Sequence, residues 1–170
     1  PLYLEVGNES YDIQYLPRCG TVEEFTERTR QIYNAVKAID ESVKIAVPIL
    51  GYELSYMFSS ANSSEYDQGM RGKTWNSYLA ANPDCYDAVV IHSYSMAGLS
   101  YSGADDIMDE FSKSAEMLDY DVIYQAENLF PGKEFWITEF GDLPSYITDG
   151  SCESEKSRLQ YMKSVGNAVG

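Results

Sequence analysis

Four short runs of strand-forming residues divide the chain at nearly even intervals, and this spacing constrains the fold more than any other feature. The runs are LYLEV (2–6), VKIAVPIL (43–50), YDAVVIHSYS (86–95) and KEFWITEFG (133–141). Their ends fall near Glu9, Leu50, Tyr94 and Glu139, so successive ends lie 41, 44 and 45 residues apart by residue number. Segments with helical periodicity fill the intervals. Thr21 with Glu24 three residues on forms a capping box, and Val22, Phe25, Ile32, Val36 and Ile39 then keep to one helical face. TWNSYLAAN reads as a short helix stopped by Pro83, residues 104 to about 119 carry Ile107, Phe111, Ala115 and Leu118 on one stripe, and 153–165 reads as an amphipathic helix.

Strands joined by helical crossovers run parallel, whereas antiparallel neighbours need only a tight turn. VKIAVPIL is almost continuously apolar, as a strand covered on both faces must be. The expected fold is α/β, a partial (β/α)8 TIM barrel of about four βα units, with a doubly wound parallel sheet as the alternative. A full barrel typically needs about 250 residues, so four units make half of one. No G-x-G-x-x-G follows any strand, which removes support for a dinucleotide-binding sheet. The chain opens at Pro1 inside an apparent strand, without a signal peptide, and reads as a piece of a larger protein.

Charge and cysteines narrow the function classes. A net charge of −15 opposes binding to nucleic acid or anionic membrane, because phosphate recognition needs clustered Lys and Arg. No apolar run approaches the roughly 18 residues of a membrane span. Cys19, Cys85 and Cys152 are widely spaced and His92 is the only histidine, so no structural zinc pattern arises. No cofactor or metal is called for. N-x-S/T sequons occur at Asn8 and Asn62, the latter in the polar stretch SSANSSEYDQG, and they point to a secreted glycoprotein with Asn62 as the glycosylation candidate. In a secreted protein Cys19 or Cys152 would be bridged.

In parallel α/β folds the ligand site lies at the carboxyl ends of the strands. Three strands here end in reactive groups: Asn8-Glu9, His92-Ser93-Tyr94 and Thr138-Glu139. A carboxylate in or beside a strand is costly to bury without a partner, so two of them at strand ends need a reason. Each motif also has a plain structural reading, Asn8-Glu9 as a turn, Glu139 as a surface residue and His92 as a hydrogen-bonded core histidine.

The ordered set EVGNE, HSY and WITEFG, each at a strand end, resembles the second half of a glycoside hydrolase of clan A, with wording similar to the arabinofuranosidase, β-xylosidase and heparanase-like families. The resemblance implies that the four strands are barrel strands 4 to 7 and that residues 1–170 form the carboxyl-terminal half of a glycosidase-like barrel, incomplete at both ends. It implies a retaining mechanism with Glu9 as acid/base and Glu139 as nucleophile. Asn8 would bind the sugar 2-hydroxyl, Tyr94 would donate to Glu139, and His92 would line the same wall. The substrate would be an oligo- or polysaccharide, and the remainder of the parent chain would complete the barrel, the isolated segment being inactive. The rival expectation is a catalytically inactive barrel serving as a structural or carbohydrate-binding module of an extracellular protein. A glycan on Asn8 would block the proposed cleft, so that sequon reads as coincidence. Aromatics in the segments after the strands (Tyr52, Tyr56, Phe58, Tyr66, Tyr101 and Tyr146) suit sugar stacking, and residues 51–73 are long for a βα connection, as a binding or lid loop would be.

Overall fold

The computed structural model describes residues 2–12, 15–51, 74–95, 118–119 and 122–142. Four strands form one all-parallel sheet: β1 (Tyr3–Glu5), β2 (Lys44–Pro48), β3 (Ala88–Ser95) and β4 (Glu134–Asp142). Their spatial order follows the sequence, β1-β2-β3-β4. A doubly wound sheet reverses its strand order at a switch point. None occurs among these strands.

The helices say the same. The short α1 (Leu16–Cys19) leads into α2 (Val22–Ile39), followed by α3 (74–80) and α4 (122–128). A single apolar cluster joins Val22 and Phe25 of α2, Trp75 and Leu79 of α3, Val122 of α4 and Phe130 just beyond it to Val47, Val89, Ile91 and Phe135 of the strands and to Ile49 just past β2. The described helices of all three crossovers therefore cover one face of the sheet. The other face carries Ala46, Ala88 and Val90, packed by Trp136. Strand alternation produces this division, since successive side chains point to opposite faces.

The sheet is curled into a half-barrel. Tyr3 on β1 and Trp136 on β4 meet edge to face with ring centroids 5.1 Å apart, although two strands separate them. On a flat sheet three strand spacings would hold those backbones about 14 Å apart, and upright side chains would keep the gap. Lys44 of β2 likewise reaches Glu134 of β4 at 3.0 Å over β3. Small Ala46 and Ala88 on the concave side make room for the bend.

Local chemistry fixes each element. The capping box at α2 is complete: Glu24 N–H donates to Thr21 Oγ1 at 3.3 Å and Thr21 N–H to Glu24 Oε2 at 3.0 Å. At its far end Lys37 Nζ donates to the Val43 carbonyl at 2.7 Å and pairs with Asp87 Oδ2 at 2.9 Å, which also accepts the Ile45 N–H at 2.9 Å. One carboxylate thus ties α2, β2 and the start of β3 together. Where β2 stops, Asn76 supplies the missing backbone partners, accepting from Leu50 N–H at 2.9 Å and donating to its carbonyl at 2.8 Å. Gln125 of α4 donates to the same carbonyl at 3.2 Å. The orphan peptide at a buried strand end is satisfied by side chains.

Helix α4 has no counterpart in the sequence expectation, because VIYQAEN mixes β-branched and aromatic residues with no clear stripe. Most of the helix expected over 104–119 and all of 153–165 lie outside the described residues. Cys19 and Cys85 are free thiols, so no bridge to Cys19 forms within the described chain; Cys152 lies outside it. Among the described residues no helix is long and apolar enough to cross a membrane.

Replacing Asp87 by Ala would leave Lys37 and the Ile45 N–H without their shared acceptor in a half-buried site. The expected loss is about 2–3 kcal/mol, read from the urea midpoint at unchanged m-value.

Candidate active site

At the carboxyl ends of the strands the concave face presents a cluster of polar residues. After β1 the chain turns sharply: Gly7 has φ +84°, Glu9 has φ +44°, and Asp12 N–H donates to the Glu9 carbonyl at 2.7 Å. Gly7 is obligatory, since a Cβ there would stand 2.4 Å from Ser10 Oγ in a backbone region that side chains avoid. Glu9 is another matter. A non-glycine residue in the left-handed region costs roughly 1–2 kcal/mol, and such strain gathers where a side chain must be aimed. An ordinary turn would place Gly or Asn there.

Glu139 arrives by a different device. The pairing of β3 with β4 runs Val90↔Trp136 and Ile91↔Ile137, then skips to His92↔Glu139, leaving Thr138 as an extra residue. Trp136 lies on the concave face, so unbroken alternation would put Thr138 there and turn Glu139 toward the helices. The bulge reverses that parity and sets Glu139 beside His92.

His92 is the hub. Its side chain is 2 % exposed, with Nδ1 3.3 Å from Glu9 Oε1 and 3.6 Å from Glu139 Oε2. On the other side Nε2 faces Glu5 Oε1 at 3.4 Å, an ion-pair approach rather than an aligned hydrogen bond. Burial pushes the imidazole pKa down, but contact with Glu5 and Glu9 and the charge of Glu139 outweigh it and raise it to about 9. At neutral pH the ring is an imidazolium, with a proton on both nitrogens. Because Glu9 and Glu139 approach the same Nδ1, the two contact distances cap the gap between their oxygens at their sum, about 7 Å. Two carboxyl groups this close can act on one glycosidic bond.

Of the residues expected from sequence, the structure brings Glu9, His92 and Glu139 together. Asn8 is exposed at the turn tip and forms no hydrogen bond to the cluster among the described residues. Tyr94 belongs to β3, in register with Gly141, but its side chain lies outside the described residues, as do Asn62 and the loop aromatics. Two neighbours escaped sequence reasoning. Glu5 gave a signal, a carboxylate inside a strand. Tyr11 gave none. It is 4 % exposed, and burial, with the charges of Glu9, Asp12 and Glu139, holds its phenol protonated far above its ordinary range. Among the described residues no group of His, Cys, Asp and Glu has the arrangement to hold a metal ion. Neither a protein family nor a curated protein matches this chain.

Two predictions follow from the hub and the strained turn. The folded His92 pKa near 9 exceeds its unfolded value of 6.5, so its stabilisation is complete below pH 6.5 and disappears as pH rises through 9. The full swing is about 3 kcal/mol. The difference in unfolding free energy between wild type and His92→Gln should shrink by that order across this window. At position 9, Gly and Ala both delete the carboxylate but only Gly tolerates the positive φ, so Glu9→Gly should melt as the more stable variant by about 1 kcal/mol.

Proposed function

We propose that this chain is half of a retaining glycoside hydrolase barrel, with Glu9 as acid/base and Glu139 as nucleophile. The observation that carries the reading is the convergence of these two carboxylates on one nitrogen of His92. They come from two strand ends, one through a strained turn and one through a bulge. Each device aims one carboxylate, and together they supply the pair of carboxyl groups that glycoside cleavage needs.

In the reaction the protonated Glu9 gives its proton to the glycosidic oxygen while a Glu139 oxygen attacks the anomeric carbon. The carbon–oxygen bond breaks, the aglycone leaves as an alcohol, and the sugar is held as an ester of Glu139. A water then gives a proton to Glu9 as its oxygen displaces Glu139, which regenerates both groups. The imidazolium of His92 favours the ionised nucleophile Glu139 and stabilises Glu9 as a carboxylate once it has given up its proton. Asn8, exposed beside Glu9, is positioned in sequence to take the 2-hydroxyl, and Tyr94 would donate to Glu139. The substrate is an oligo- or polysaccharide, and the protein is extracellular.

In this reading the barrel is closed by further strands of the parent chain. Among the described strands β1 pairs only with β2 and β4 only with β3, leaving two open edges. Leu2 and Tyr3 at the β1 edge are 68 % and 57 % exposed, an arrangement that sheets normally cover.

Leaving-group dependence tests the reading in the full-length protein. Glu9→Gln should lose roughly 10²–10⁴-fold in kcat/KM on glycosides with basic leaving groups but far less on dinitrophenyl glycosides, which leave without protonation. Glu139→Gln should lose activity on both. Equal losses for Glu9→Gln on both substrate types, or turnover that survives Glu139→Gln, would overturn the assignment.

A further inference from the structure

Glu5 is the third carboxylate of the cluster, and the two-carboxylate chemistry leaves it without a part. It is the last residue of β1, in register with Ala46, which is in register with Ala88. Its carboxylate extends beyond that level to reach Nε2 of His92, four residues further along β3 than Ala88, at 3.4 Å. Its side chain is 24 % exposed, and among the described residues His92 is its one ion-pair partner. Keeping a carboxylate in a strand, partly out of water, is unfavourable unless it acts on something.

We propose that Glu5 is a positioning residue: by engaging Nε2 it fixes the ring of His92 so that Nδ1 confronts Glu9 and Glu139 together. The role rests on the glycosidase reading for its catalytic meaning and on geometry for its existence. An imidazole anchored at one nitrogen has its opposite nitrogen aimed, as second-partner contacts orient histidines elsewhere. The charged groups facing the ring are Glu5 from β1, Glu9 from the following turn and Glu139 from β4, with the protonated Tyr11 beside Glu9. Among the described residues Glu5 is the one charged group at Nε2. Its removal leaves a buried N–H without a counter-charge and frees the ring to turn, so Glu5 also bears on the raised imidazole pKa.

The test is an NMR titration of His92 in the full-length protein, its signals identified as those lost in His92→Gln. In Glu5→Gln the midpoint should fall by about one pH unit or more, a tenfold loss of proton affinity. The alkaline limb of kcat/KM should move down with it, through kcat rather than KM. Glu5→Asp keeps the charge and should hold the midpoint within about half a unit while lowering kcat. Wild type alone provides a check that needs no variant: both ring nitrogens should carry protons at pH 8. A midpoint unchanged in Glu5→Gln, or a neutral wild-type ring at pH 8, would overturn the role of Glu5. Absence of turnover on every glycoside would overturn the glycosidase reading instead, and the titration would still decide the Glu5 contact.

Discussion

One extra residue in β4 governs which face of the sheet Glu139 occupies. Side chains alternate along a strand, so a one-residue slip moves every later residue to the opposite face. Thr138 takes up that slip between the Ile91↔Ile137 and His92↔Glu139 pairs. Below it, β3 and β4 send Ile91 and Phe135 into the cluster under the helices. Above it, His92 and Glu139 share the concave face. The apolar packing that stabilises the sheet and the polar cluster that crowns it therefore use the same two strands without competing for one face.

The two ends of the sheet carry different loads. At the amino-terminal ends of the strands the contacts are satisfied: Lys37 with Asp87, Lys44 with Glu134, and Tyr3 against Trp136. These close the concave face and hold α2 on the sheet. At the carboxyl-terminal ends the contacts are unfavourable taken singly: a buried imidazole, three carboxylates around it, and a glutamate in left-handed backbone. The raised imidazole pKa is the physical sign that each partner is tolerated because of the others. Parallel α/β sheets generally divide their labour this way, stability at one end and chemistry at the other.

The sequence carries the strands, their parallel arrangement and the capping box of α2, because each is written in local pattern: apolar runs, periodicity, Thr21 with Glu24. Strand order and curl depend on contacts between residues far apart, Tyr3 with Trp136 above all, and no local pattern encodes them. The strand-end rule singles out Glu9, His92 and Glu139. It could not show that Glu139 turns inward, since straight alternation from Trp136 predicts the reverse and Thr138 looks like any strand residue. Glu5 was legible in principle as a charge inside a strand, but it lay outside the strand-end search. Tyr11 reads as a loop residue until the turn folds it under Glu9.

The most direct test of a nucleophilic Glu139 is to trap its ester with the sugar. Activated 2-deoxy-2-fluoro glycosides slow the hydrolysis of such an ester, and the labelled protein can be digested and sequenced by mass spectrometry. The account predicts the mass of one fluorosugar on the peptide WITEFGDLPSY, at Glu139, with labelling abolished in Glu139→Gln. A label on another carboxylate, or turnover of the same glycosides with no ester and with inverted product, would contradict it.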